Sequence, residues 1–239
     1  MTEAVKFVPR QTVEPHGGKQ SPFDMRIVSS NAERRDVFAL RMSAYKEFMT
    51  PPPPAEQSEF RDAFDDYPTT LQIGAYDEDR LVGAMRLCFS RPFDSLATLP
   101  CAAHYPDLQA IKRAANGSLM EVSRFSIDPG ISNTSYRTTL YASLVRASLM
   151  TAEAANAAKI LIATRPDSVR FYKYMLGFEM IGEPALYPPG DVKIALLGGS
   201  LAQAKTRQRL QNAFFKITPD EIVSLRRTLR PILERVEAA

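Results

Sequence analysis

From Met25 onward, polar and apolar positions divide the chain into short strand-like runs and helical faces. "MRIV" (25–28) predicts a strand. Ser30 with Glu33 three residues on is a capping box, which predicts a helix to about Tyr45. Val37, Leu40, Ala44 and Phe48 recur at helical spacing and assign that face to the core. Pro51–Pro54 cannot continue the helix and predict a stiff, extended loop. Residues 69–89 read as a hairpin: two β-rich runs flank the charged turn Asp77–Arg80, and Gly83 predicts a bulge or a close approach. A short helix is expected over about Leu108–Ala115. "LMEVSRFSID" (119–128) then alternates like a strand and is stopped by Pro129-Gly130. The stretch from about Thr134 to Asn156 is apolar on most sides, as a buried helix is, and "KILIAT" (159–164) is a compact central strand. Pro166 opens a helix that Gly177 closes as its C′ residue. "FEMIG" (178–182) and "VKIALL" (192–197) predict two closing strands. Strands alternating with helices argue for an α/β or mixed α+β fold with some parallel pairing.

The flanks behave differently. Residues 1–22 mix prolines, glycines and charges without a period and are expected to be a flexible lead-in, before a domain over 23–200. Residues 201–239 are expected to form a helical appendage. There Thr218-Pro219-Asp220-Glu221 starts a helix to about Val236, with Ile222, Leu225, Leu229 and Leu233 on one face and Arg226, Arg227, Arg230 and Arg235 elsewhere.

Composition narrows the function classes. The 239 residues are 45% hydrophobic and 24% charged, ordinary usage for a soluble globular protein. No stretch approaches the ~18 apolar residues of a spanning helix, and no secretory signal pattern is visible. Two cysteines exclude a disulfide framework and fit a reducing, cytoplasmic setting. Two histidines, His16 and His104, disfavour zinc enzymes and histidine-based hydrolases. The net charge of +3 is weak, and the arginines are not interleaved with aromatics, so nucleic acid is not an expected partner.

Three constellations carry candidate chemistry. Alternation along "EVSRFSI" (121–127) places Glu121, Ser123 and Phe125 on one face and Arg124 on the other. A carboxylate on a central strand is costly unless paired or used. Glu121 therefore reads either as an ion-pair partner of Arg86 or Arg165 or as a general base in a cleft. "RDAFDD" (61–66) sets Asp62 and Asp65 three apart, either as a solvated acidic loop or facing Arg86; a metal site is not expected. In "PDSVRFYKYMLGF" (166–178), Tyr172 is a core aromatic or a proton donor near the cleft. Cys88 and Cys101 read as buried, incidental thiols.

Taken together, these segments resemble the GNAT acyltransferase superfamily. Within it, the helix carrying Arg41, the pair Asp62/Asp65, "LVGAMRL" with Arg86 and "EVSRFSI" with Glu121 resemble N-acyl amino acid synthases and, more distantly, acyl-homoserine-lactone synthases. The match runs over about 25–198. The resemblance implies a three-layer fold: a central mixed, twisted sheet flanked by helices. It also implies an N-acyltransferase in which Glu121 and Ser123 lie at the chemistry and Tyr172 protonates the leaving thiolate. Phe125, Ser126, Ile127, Arg137, Thr138 and Thr139 would meet the acyl donor's phosphopantetheine arm. Arg41, Asp62, Asp65, Arg86 and Arg124 would shape the acceptor side.

Two departures refine it. The segment after the Glu121 strand, 131–144, lacks the glycines that cradle a pyrophosphate. That favours the single phosphate of an acyl carrier protein over coenzyme A. The chain has no tryptophan, whereas lactone synthases typically carry one in this lobe. The expected product is therefore an N-acyl amino acid, with no permanently bound cofactor and acyl-phosphopantetheine, on a carrier protein or as acyl-CoA, as co-substrate; the alternatives are a lactone synthase using S-adenosylmethionine and a non-catalytic acyl-carrier-binding module. Met85, Phe89, Met120, Leu144 and Leu161 are candidates for an acyl tunnel or equally for core. The arginines of the terminal helix are candidates to meet the carrier protein.

Overall fold

The computed structural model describes residues 21–187, 192–207 and 212–234. The expected lead-in therefore lies outside the described residues, Ser21 and Pro22 excepted, as does Arg235. Ser30 caps the first helix as expected: its hydroxyl accepts from the Glu33 amide while the Glu33 carboxylate accepts from the Ser30 amide. Helix α1 (Asn31–Tyr45) follows strand β1 (Asp24–Ile27). Phe48 leaves the predicted core face because the chain tightens into a 3₁₀ turn at Lys46–Phe48, and it lies exposed under the Arg165 guanidinium.

The hairpin forms as β2 (Thr70–Asp77) and β3 (Arg80–Ser90). Its register slips by one residue beside Gly83, where a Cβ would sit 3.2 Å from Leu144 and 3.3 Å from Leu140. The extra residue is Val82, one position before Gly83, and Gly83 itself permits the close approach of the helix above it. Helix α2 (Leu108–Ala115) leads into β4 (Ser118–Ile127), helix α3 (Thr134–Ala154) and β5 (Ala157–Thr164). After a 3₁₀ turn at Pro166–Ser168, helix α4 (Val169–Leu176) ends at Gly177 with φ +71°, the left-handed cap that glycine adopts without strain. Strands β6 (Glu179–Met180), β7 (Ala185–Tyr187) and β8 (Val192–Gly199) follow, then helices α5 (Leu201–Lys205) and α6 (Pro219–Glu234). Strand β7 is too short, and too close to prolines, to give an alternation signal.

One path of hydrogen-bonded strands runs β1-β2-β3-β4-β5-β8-β6, with β7 also paired to β8. Only β4 and β5 pair in parallel among the described strands. This is the mixed α+β, three-layer arrangement expected. Helices α3 to α6 cover one face with the largest apolar cluster, which includes Leu144, Val122, Tyr172 and Phe178. Leu225 and Leu229 of α6 belong to the same cluster, so the terminal helix is part of this layer. Helix α1 and the segments leading into α2 cover the other face. No helix among the described residues is long and apolar enough to cross a membrane.

Candidate active site

The site begins where the parallel pair ends. β4 and β5 pair from Ser118↔Ala157 to Val122↔Ile162, with a one-residue slip after the first pair, and no pairing follows, although β4 continues to Ile127. On its other side, β4 opposes β3 at Ser123↔Arg86 and next at Ser126↔Ala84. Three steps on β4 thus match two on β3: a bulge, with Arg124 at φ +54°. The bulge corrects the expected facing. Arg124 turns to the side of Glu121 and Ser123, while Phe125 swings to the opposite face and packs 4.5 Å from the Tyr141 ring. Ser126 is buried and Ile127 is half-buried against the main core.

Glu121 is fully buried, and neither expected ion-pair partner reaches it. Arg86 turns to Asp62 and Asp65, and Arg165 to Asp167. One Glu121 oxygen accepts from the Cys101 amide at 2.9 Å, and Oε1 has no hydrogen-bond partner. Burial raises the carboxyl above its ordinary value; the Cys101 hydrogen bonds and the arginines offset only part of this. Such a carboxylate takes up a proton more readily than an exposed one, which suits a general base. The same burial pushes the Cys88 thiol up to about 12 and Cys101 well above its usual range, so both remain protonated and non-nucleophilic. Cys88→Ala and Cys101→Ala are each expected to keep at least half of the parent turnover in a steady-state assay. A loss with intact folding would implicate a covalent acyl-cysteine.

Asp62 and Asp65 do not form a solvated loop: arginine and glutamine side chains engage their oxygens. Asp65 accepts from Arg41 at 2.8 Å, Arg86 at 3.1 Å and the Gln72 amide at 2.8 Å. Asp62 accepts from Arg86 at 2.6 Å and Arg124 at 2.7 Å, and Arg86 also donates to the Ser123 hydroxyl. The result is a chain Arg41–Asp65–Arg86–Asp62–Arg124, three cations on two carboxylates. Burial works to raise the Asp62 carboxyl, but Arg86 and Arg124 outweigh it and hold it at about 2. Asp65 is lowered in the same way by Arg41 and Arg86. Arg86 is 1% exposed and engaged with both carboxylates, which separates the two candidate acceptor arginines. Arg124 lies partly exposed beside the gap, stacked 4.6 Å over Phe60.

On the far side of the gap, Tyr172 is buried among Tyr141, Phe171 and the end of β5, with Tyr141 and Thr164 as its hydroxyl partners. Burial raises its phenol to about 12, so it carries its proton at neutral pH. Arg137 donates to the carbonyls of Asp128 and Ile131, and the hydroxyls of Thr138 and Thr139 bond back to Thr134 and Ser135. The side chains expected to meet a phosphate are thus engaged with local backbone, and Asn133 Oδ1 accepts from the Tyr136 amide, which leaves the amides of Thr134 and Ser135 as the donors there. The five tunnel candidates divide: Met85, Phe89, Met120 and Leu144 share the α3 core, whereas Leu161 belongs to the opposite cluster.

Sequence reasoning missed Tyr45 and Gln72. Tyr45 lies four residues after Arg41, on the same helical face, and its hydroxyl donates to the Phe125 carbonyl at 2.7 Å. Gln72 is a polar residue within the buried run Leu71–Tyr76, the kind of interruption that marks a network.

Comparison with known proteins adds a family to this geometry. The family described as N-acyl amino acid synthase FeeM matches residues 36–199. The structure of FeeM, an N-acyl amino acid synthase from uncultured soil microbes, superposes with TM-score 0.62 at 19% identity, over 78% of this chain and 96% of that one. The AHL synthase LasI gives TM-score 0.57 at 14% identity, over 77% and 91%. TofI, solved with an inhibitor and MTA, gives 0.53 at 16%, over 82% and 98%. These likenesses support the fold. No curated protein matches the sequence.

Proposed function

The chain belongs to the FeeM family of N-acyl amino acid synthases and is an acyltransferase, and from that premise we propose that it moves a long-chain acyl group from an acyl-carrier-protein thioester to the α-amine of an amino acid. The observation that carries this reading is the parting of β4 and β5 immediately beyond Glu121. A pantetheine arm threads that gap, with the arginine network on one side and Tyr172 on the other. The amine attacks the thioester carbonyl, the C–N bond forms and the C–S bond breaks. Glu121 takes the proton from nitrogen, directly or through a water. Tyr172 protonates the thiolate, and solvent returns the proton.

An α-amino group titrating near ~8 is about one-tenth neutral at pH 7, which costs roughly 1.4 kcal/mol, so the base has modest work to do. Orientation of the two reactants is the larger contribution, up to ~7–11 kcal/mol. The backbone amide of Phe125, which lies outside both strand ladders, is the proposed oxyanion donor. Arg124 is the proposed partner of the acceptor carboxylate, because Arg86 is enclosed by Asp62 and Asp65. Ser123 positions Arg86 through their hydrogen bond. The amides of Thr134 and Ser135 at the start of α3 suit a single phosphate, which favours a carrier protein as donor.

The carrier docks at the open end of the gap in this reading, not on the terminal helix. Arg226 of α6 bonds the Ala154 carbonyl at the C-terminal end of α3. The gap opens toward the N-terminal end of that 21-residue helix, roughly 30 Å away at 1.5 Å per residue.

The test is free thiol release from acyl-carrier thioester, mixed amino acids and purified protein. Thiol is expected only when both substrates are present, with an N-acyl amino acid in the product mass spectrum. Thiol release only with coenzyme A thioesters, or a lactone formed from S-adenosylmethionine, would overturn the donor or the acceptor assignment respectively.

A further inference from the structure

The Phe125 carbonyl stands outside both strand ladders. The β3 register passes from Ser123 to Ser126, and β5 has stopped pairing at Val122. A backbone acceptor left unpaired in a protein interior is costly. Here the partner comes from another layer: the Tyr45 hydroxyl, 2.7 Å away, delivered from the last residue of α1 with its ring edge-on to Phe60 at 5.9 Å. An extended arm carrying amide groups binds a strand edge by donating its N–H groups to such carbonyls. Beyond Val122, Phe125 offers that acceptor, and Tyr45 already holds it.

We propose that Tyr45 is a plug for the acyl-donor channel, its hydroxyl leaving the Phe125 carbonyl when the arm's amide bonds there. The inference rests on the β4–β5 gap being the donor's entrance. Tyr45 is placed to yield, because α1 ends at it and the chain continues in a short 3₁₀ turn. In exchanging an O–H for an N–H on one carbonyl, the parent protein gains little hydrogen bonding from donor entry. Without the hydroxyl, the arm's bond would be a net gain.

The experiment is calorimetric binding of an unreactive acyl-pantetheine thioether to the parent and to Tyr45→Phe. The variant is expected to bind roughly fivefold more tightly, the fold-change of one net hydrogen bond of about 1 kcal/mol. In turnover, the donor KM should fall by a similar factor while the amine KM stays unchanged. A residue that merely supported the fold would weaken binding when altered. Equal or weaker binding by Tyr45→Phe overturns the plug while leaving the donor reading intact. Failure of the probe to bind either protein at millimolar concentration would sink the donor reading, and the plug with it.

Discussion

Glu121→Gln is expected to lose about 10²–10⁴-fold in turnover, the range of a general base, yet to resist heat better than the parent at pH 8. The two effects share one cause. Glu121 has no exposed surface, an oxygen without a hydrogen-bond partner, and no ion pair among the described residues. Ionising it in the fold is costly, and burial accordingly raises its titration. A group raised in the folded state stabilises the fold fully below its unfolded value near 4.5, and that contribution is lost as pH rises through the folded value. Glutamine keeps an acceptor for the Cys101 amide and removes the ionisation. The melting-temperature advantage of the variant should therefore widen between pH 5 and pH 8. The turnover of the parent should rise with pH through the same raised titration, since only the ionised carboxylate accepts the amine's proton. A Glu121→Gln protein retaining a third or more of parent turnover would remove Glu121 from the chemistry.

That buried carboxylate shows how far the sequence can be read. The alternation of "LMEVSRF" correctly put Glu121 inside the sheet, and the capping box at Ser30 and the glycine at 177 set helix ends that the structure reproduces. The signals fail where tertiary contacts override local period. A single residue at positive φ, Arg124, exchanges the faces of Arg124 and Phe125, and nothing in "SRFS" announces it. The pairing of Glu121 was equally hidden, because Arg86, the plausible partner, is committed to carboxylates that arrive from a loop about twenty residues earlier in the chain. The spacing of Asp62 and Asp65 was legible, but their engagement was not. It depends on α1 laying Arg41 across the same face, and the approach of two elements is not written in either one. Tyr45 was in principle legible, since it follows Arg41 by one helical turn.

The arginine–aspartate chain yields the largest stability effect. Asp65→Ala is expected to cost about 3–5 kcal/mol, because it leaves Arg41 and Arg86, each 1% exposed, without their shared carboxylate. Against a domain stability of roughly 5–15 kcal/mol, that places the variant near the unfolding threshold. The neighbouring Asp66→Ala is the control. Asp66 also meets two arginines, Arg34 and Arg61, at 2.8 Å, but it is half-exposed, and exposed pairs contribute about 0–1 kcal/mol. Two adjacent carboxylates that each meet two arginines should thus differ severalfold in urea unfolding, because Asp65 is buried and also holds the Gln72 amide and the Asp62 backbone N–H. Acid gives an independent reading. Asp62 and Asp65 titrate below the ordinary 3.8, Asp62 at about 2. The stability they supply is present above the unfolded value and is lost as pH falls through the folded one. The parent should keep this contribution at pH 4 and lose it progressively toward pH 2, while Asp65→Ala should show a shallower loss over the same interval. Equal unfolding free energies for Asp65→Ala and Asp66→Ala at pH 7 would mean that the network adds no more than a surface pair. The rigid placement of Arg124 beside the gap would then need another cause.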